Sequence, residues 1–248
     1  MSQSLKGKRA LVTGASRGIG AAIVKRLARE GADVAFTYAS SPDQANAVAK
    51  EVEALGVRAL AIKANSVESA EVVAAVDQAA AQLGGLDILV NNAGIVAIGP
   101  VDDFKLADFD RVFAINVRSV FVATQAAVKH MKEGGRVINT GSTNAERMPF
   151  PGGAVYAASK SALQGLVQGL ARDLGPRGIT INNIQPGPID TEANPKGSEF
   201  ATMLINQFMA LKRYGTGDEV AAFVAFLAGP EAGFITGANL MIDGGFSA

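Results

Sequence analysis

A chain of 248 residues with 48% apolar and 19% charged side chains can bury a sizeable core, and 23 Lys and Arg against 23 Asp and Glu leave it without net charge. That balance gives neither nucleic acid nor an anionic membrane an electrostatic hold as main partner. With no cysteine and one histidine, His130, it excludes disulfides, thiolate nucleophiles, Cys-ligated metals and histidine-rich metal sites.

Short apolar runs alternate with longer segments of helical period. Arg9–Thr13 reads as a strand buried on both faces, and Ile19–Glu30 as the helix after it, stopped at Gly31. Val34–Tyr38 with Pro42–Leu55, then Arg58–Lys63 with Glu68–Leu83, repeat the unit. Asp87–Val90 and Arg136–Asn139 are two more strands, separated by a long helical region from about Lys105 to Met131. A helix over Val155–Leu174 leads to the strand Thr180–Ile184, and the helix Asp218–Leu227 to a last strand, Asn239–Ile242.

Strands alternating with helices imply right-handed βαβ units. The expectation is an α/β protein of Rossmann type: one domain over residues 1–248, with a seven-stranded doubly wound parallel sheet and helices on both faces. Pro188–Arg213 breaks the rhythm with turn residues before an amphipathic piece, Phe200–Leu211. It falls at the carboxyl edge, where open α/β sheets bind ligands, and reads as a substrate lid. MSQSLKGKRALVTG has no apolar signal region, and the best membrane candidate, VAAFVAFLAG, is about half a span, so a soluble cytoplasmic protein is expected.

Between the first strand and first helix lies TGASRGIG, with Gly14, Gly18 and Gly20 spaced GxxxGxG rather than GxGxxG. Such glycines let backbone approach a pyrophosphate at a helix amino end. An NAD site usually has Asp or Glu at the end of the second strand for the ribose hydroxyls. Here Tyr38-Ala39-Ser40-Ser41 contains no acid, which removes a repulsion against a 2′-phosphate. Ser40 and Ser41 add hydroxyl donors, and Arg17 a planar charge suited to phosphate. NADP(H) is therefore expected. The alternative is that Arg17 is a solvated loop residue and the serines only cap the next helix.

Tyr156 and Lys160, in YAASK, lie four apart and share one helix face. A cation one turn away favours the phenolate, and a lowering of about three units corresponds to roughly 4 kcal/mol. Such pairs are common on helices, but three features accompany this one. Ser142 follows the strand RVIN, Asn91-Asn92-Ala93-Gly94 follows DILV, and Asn116 interrupts an apolar helix interior. A buried asparagine needs partners, either structural ones or a water in a relay.

With TGASRGIG, NNAG, Asn116, Ser142, YAASK, the run Gln185–Thr191 and ITG…IDGG in order, the chain resembles the short-chain dehydrogenase/reductase family over nearly its whole length. The resemblance implies that Tyr156 is the general acid or base, with Lys160 lowering its pKa and holding the nicotinamide ribose. Ser142 would polarise the substrate oxygen, and Asn116 would keep a water linking Lys160 to solvent. It further implies that Gly14, Ser16, Arg17, Gly18, Ile19 and Gly20 hold the pyrophosphate side, and Tyr38, Ser40 and Ser41 the adenosine ribose. Asn92, Ala93 and Gly94 would lie by the ribose, and Pro186, Gly187, Ile189 and Thr191 around the carboxamide. Where many relatives contact adenine through Asp-Val, this chain has Asn65-Ser66, which implies a changed contact.

Within the family the chain looks most like the 3-oxoacyl-[acyl-carrier-protein] reductase branch. Arg177 is a candidate to meet an acidic carrier protein, though Glu133 has the opposite sign. A broader NADPH-dependent carbonyl reductase is expected first and the carrier-protein substrate second. The runs ARDLGPRGITINNIQPGPIDTEANP and GSTNAERMP are similar to members described as cyclic-di-GMP-binding biofilm dispersal mediators. That similarity implies a third reading, nucleotide-binding regulation.

His130 is expected to be solvated at a helix carboxyl end. Phe104, Phe109, Phe113 and Phe121 are expected to be core or subunit contact, and Asn144, Glu146, Arg147 and Phe150 either pocket wall or loop surface. Met203 and Phe208 suit the underside of a lid. The apolar faces of Val112–Val128 and Val155–Leu170, together with the family's habit, imply a homotetramer.

Overall fold

Successive residues of a strand point to opposite faces of its sheet, and in this chain both sets are apolar. The computed structural model describes residues 3–248. Its strands are β1 (Arg9–Val12), β2 (Asp33–Tyr38), β3 (Ala59–Lys63), β4 (Ile88–Asn91), β5 (Arg136–Thr140), β6 (Thr180–Pro186) and β7 (Asn239–Ile242). They form one parallel sheet in the order β3-β2-β1-β4-β5-β6-β7. The helices are α1 (Gly18–Arg29), α2 (Pro42–Glu53), α3 (Ser69–Leu83), α4 (Leu106–Phe113), α5 (Ser119–Ala127), α6 (Ala154–Leu174), α7 (Glu199–Gln207) and α8 (Gly217–Ala228).

The alternation builds two cores. Ala10, Val12, Val34, Phe36, Ile88 and Val90 pack under α1, α2 and α8, while Leu11, Ala35, Leu89, Val137 and Ile181 pack under α3, α5 and α6. Truncating a fully buried strand leucine such as Leu89 to alanine costs about 2–5 kcal/mol. The doubly wound sheet expected from the sequence is present, with most element ends shifted by one or two residues. No helix among the described residues is long and apolar enough to cross a membrane.

Three differences have local causes. The helical region after β4 is not continuous, because the π turn Ala114–Arg118 separates α4 from α5. A widened turn of this kind adds a residue to the helix circuit and re-aims a side chain, here Asn116. β6 runs past Ile184 to Pro186, which pairs with Ile242 on β7. A proline at a strand end costs the ladder little. α7 stops at Gln207, short of Leu211, because residues beyond it turn onto the C-terminal segment, where the Leu211 amide donates to the Gly244 carbonyl at 2.9 Å.

Asn91, Asn139, Asn183 and Asn239 stand in register across β4, β5, β6 and β7. Asn91 Nδ2 donates to Asn139 Oδ1 and Asn183 Nδ2 to Asn239 Oδ1, each at 2.9 Å. These bonds tie β4 to β5 and β6 to β7. The strand order reverses between β1 and β4, which opens a crevice at the carboxyl edge.

Candidate active site

Two cavities share the crevice. The larger, about 900 Å3, runs over the turn after β1 and the ends of β2 and β3. The smaller, about 600 Å3, lies over the ends of β5 and β6 and under α7. Asn92, Gly94 and Ile95 line both.

The turn after β1 is held by hydroxyls and an amide. Thr13 Oγ1 accepts from the Asn92 and Ala93 amides at 3.0 Å each, and Thr37 Oγ1 accepts from the Gly14 amide at 2.9 Å. Asn92 Nδ2 donates to the Thr13 and Gly14 carbonyls at 3.0 and 2.9 Å. Gly14 has φ +64°, and a Cβ there would meet Ala93 Cα at 2.8 Å. A Cβ on Gly20 would meet Asn92 Nδ2 at 2.5 Å. Only glycine fits either place. Thr13 and Thr37 lie outside the residues the sequence marks, because a threonine at a strand end carries no distinctive signal.

Gly14, Ser16, Arg17, Tyr38, Ser40 and Ser41 all line the larger cavity. Asn65, Ser66, Ala93 and Gly94 line it too, whereas Gly18 and Gly20 shape the turn from outside its lining. The first turn of α1 has no side-chain cap and no acidic residue, so its amide end is open to an anion. Asn65 Oδ1 accepts from the Val67 amide at 3.1 Å. These residues fit a dinucleotide: a glycine cradle for the pyrophosphate, no carboxylate at the end of β2, and Arg17, Ser40 and Ser41 lining the same cavity.

Ser142, Tyr156 and Lys160 line the smaller cavity with Ile19, Pro186 and Gly187. Ser142 caps the short turn after β5, its Oγ accepting from the Asn144 amide at 3.1 Å. Its carbonyl accepts from Gln185 Nε2 at 3.1 Å, and Thr143 Oγ1 donates to Asp243 Oδ2 at 3.0 Å. Gln185 and Asp243 thus hold the segment from β6 and from beyond β7, contacts too distant in sequence to be foreseen.

Burial pushes the Tyr156 phenol above its ordinary value, and the Ser142 hydroxyl beside it pulls the other way. Burial also brings the Lys160 ammonium down from 10.5 to about 8. Lys160 Nζ donates to the Thr140 carbonyl at 2.8 Å and lies 5.9 Å from the centre of the Tyr156 ring. The expected depression of Tyr156 by Lys160 is therefore not found in the chain alone. The ammonium serves a backbone carbonyl, and desolvation governs both groups.

Asn116 lies behind the cavities, fully buried. Its Oδ1 accepts from the Ile95 amide at 2.9 Å, and its Nδ2 donates to the Ile95 carbonyl at 2.9 Å and to Ser159 Oγ at 3.0 Å. Ser159 Oγ in turn donates to the Tyr156 carbonyl at 2.7 Å. The side chain thus binds the Ile95 segment to α6.

Other expected positions fall elsewhere. Ile189 is buried in the core under α8, and the Thr191 side chain lies over Gly18; neither lines a cavity. Arg177 precedes β6 and so sits at the amino edge of the parallel sheet, its guanidinium donating to the Val128 carbonyl, away from the crevice. His130 Nε2 lies 2.7 Å from Asp77 Oδ1 and is paired rather than simply solvated. Phe109 and Phe113 stack at 4.6 Å, while Phe121 is exposed.

Residues 14–247 match the family described as enoyl-(acyl carrier protein) reductase. The chain is 51% identical over 242 residues to the cyclic-di-GMP-binding biofilm dispersal mediator protein of Escherichia coli, with 98% of each chain covered. A solved short-chain dehydrogenase/reductase from Serratia marcescens is 63% identical with a TM-score of 0.97, covering 99% of this chain and 100% of that one. A short chain dehydrogenase from Burkholderia cenocepacia, solved in complex with NADP, is 56% identical with a TM-score of 0.97 and the same coverage.

Proposed function

The chain belongs to the short-chain dehydrogenase/reductase family of oxidoreductases, and on that premise we propose that it is an NADPH-dependent carbonyl reductase, turning a ketone, β-keto ester or β-keto thioester into the secondary alcohol. The observation that carries this reading is the meeting of Ser142, Tyr156 and Lys160 on one wall, where the dinucleotide cavity joins an apolar one.

NADPH, when bound, supplies a hydride to the carbonyl carbon. Ser142 Oγ holds the substrate oxygen, and Tyr156 gives that oxygen its phenolic proton as the C=O bond becomes single. With that proton the alcohol is complete. The Lys160 ammonium, held by the Thr140 carbonyl 5.9 Å from the centre of the Tyr156 ring, turns toward the phenolate left behind. Asn116 keeps α6, and so Tyr156 and Lys160, in place against the Ile95 segment. Gly14, Ser16 and Ile19 receive the pyrophosphate in the turn that Gly18 and Gly20 shape, and Arg17, Ser40 and Ser41 the 2′-phosphate. Tyr38, Asn65 and Ser66 border the adenosine, Asn92, Ala93 and Gly94 the ribose, and Pro186 and Gly187 the carboxamide, while Ile189 anchors that stretch in the core and Thr191 packs over Gly18. Residues 188–213 close over the smaller cavity as a lid.

Reduction of a thioester on acyl carrier protein is the second substrate reading. A regulatory reading has one observation in its favour: Arg111 and Arg118 join Arg17 along the larger cavity, a setting able to hold a cyclic dinucleotide. NADPH and NADH oxidation against β-keto esters, simple ketones, aldehydes and a thioester mimic separates the three. Turnover preferring NADPH supports the reductase. Binding of NADPH without any turnover, with cyclic-di-GMP displacing it, supports regulation instead.

A further inference from the structure

The smaller cavity has a chemical bias of its own. Of the described residues that line it, Lys160 alone carries a charge, and its ammonium is turned to the Thr140 carbonyl. Ser142, Asn144 and Tyr156 supply polar groups at the reacting end, and Asn194 is engaged with the Ile189 carbonyl and the Tyr214 hydroxyl. Much of the remaining wall is built from Ile98, Met148, Phe150, Phe200, Leu204 and Phe246.

Two of these form a paired aromatic wall from segments far apart in sequence. Phe150, between Pro149 and Pro151 on the loop after β5, meets Phe200 in the first turn of α7 edge to face, with ring centres 5.5 Å apart and planes at 78°. Phe200 is 44% exposed and Ile98 53%, so a ring entering here would cover apolar surface that water now touches. Arg147, on the same loop, offers no anion partner inside. Its guanidinium donates to the Phe246 carbonyl at 3.1 Å and lies over the Phe208 ring at 5.7 Å.

Building on the reductase reading, we propose that the cavity selects an uncharged ketone with an aromatic group packed against the Phe150–Phe200 pair, and rejects the carboxylated counterpart. The aromatic wall meets the ring while Ser142 and Tyr156 meet the oxygen. A carboxylate on the ring would be taken from water into a wall with no free cation.

The test measures kcat/KM with NADPH for three ketones: an aryl alkyl ketone, the same ketone with a carboxylate on the ring, and a short aliphatic ketone. The aryl ketone is expected to exceed the other two by at least about tenfold. Phe150→Ala and Phe200→Ala are each expected to lower the ratio of aryl to aliphatic kcat/KM by about tenfold, mainly through KM, and Phe200→Tyr to restore most of it. Turnover of all three without preference, or an unchanged ratio in both alanine variants, overturns the proposal and leaves the reductase reading standing. Absence of turnover with all three, where a β-keto ester is reduced, overturns the proposal alone; absence with the β-keto ester as well overturns the reductase reading and the proposal with it.

Discussion

Replacing Asn116 by alanine removes three hydrogen bonds at once. The Ile95 amide and carbonyl lose their partners at 2.9 Å, and Ser159 Oγ loses its donor at 3.0 Å. Each partly buried group left unsatisfied costs about 1–3 kcal/mol, and some relax toward water, so a total near 3 kcal/mol is expected. For a chain of this size that lowers Tm by roughly 6–12 °C. The assay is urea unfolding followed by far-UV circular dichroism, with the midpoint compared at fixed protein concentration because assembly raises apparent stability. A midpoint equal to that of the unaltered chain would refute the reasoning and leave Asn116 with a catalytic role only.

Lys160 gives a pH test. Its folded value of about 8 lies below the ordinary 10.5, so between those values the unfolded chain holds more protons and stability rises with pH; below about 8 both states are charged and the cost of the buried ammonium is constant. The stability difference between the chain and Lys160→Met should therefore shift by roughly 3 kcal/mol in favour of the unaltered chain from pH 7.5 to 10.5. A difference independent of pH would contradict the burial. Gly14→Ala places a Cβ 2.8 Å from Ala93 Cα at φ +64° and should weaken NADPH binding by at least about tenfold, read by fluorescence titration; unchanged affinity would contradict the cradle. Light scattering at micromolar concentration should give the mass of a homotetramer, and a monomer would refute that expectation.

Much of the molecule is legible in the sequence because it rests on local rules. Two-faced apolar strands alternating with helices specify the sheet, and glycines beside strand ends mark the nucleotide turn. Ser142, Tyr156 and Lys160 stand in motifs whose members fall on the carboxyl edge of a parallel sheet. What escapes a reading of the sequence depends on contacts between distant segments. The π turn at Asn116 is held by bonds to Ile95 and Ser159, and Ser142 by Gln185 and Asp243. Charge alone makes Arg177 a candidate for the entrance, whereas the direction of β6 puts it at the far edge. The environment of Tyr156 is hidden too, since helical spacing brings Lys160 near the ring but does not reveal that its ammonium serves the Thr140 carbonyl.

The most direct test of the central claim is single-turnover reduction by Tyr156→Phe, with NADPH affinity measured in parallel. The rate should fall by about a hundredfold or more, with an affinity within about threefold of the unaltered chain. A rate within about tenfold would remove Tyr156 as the proton donor and contradict the mechanism built on it.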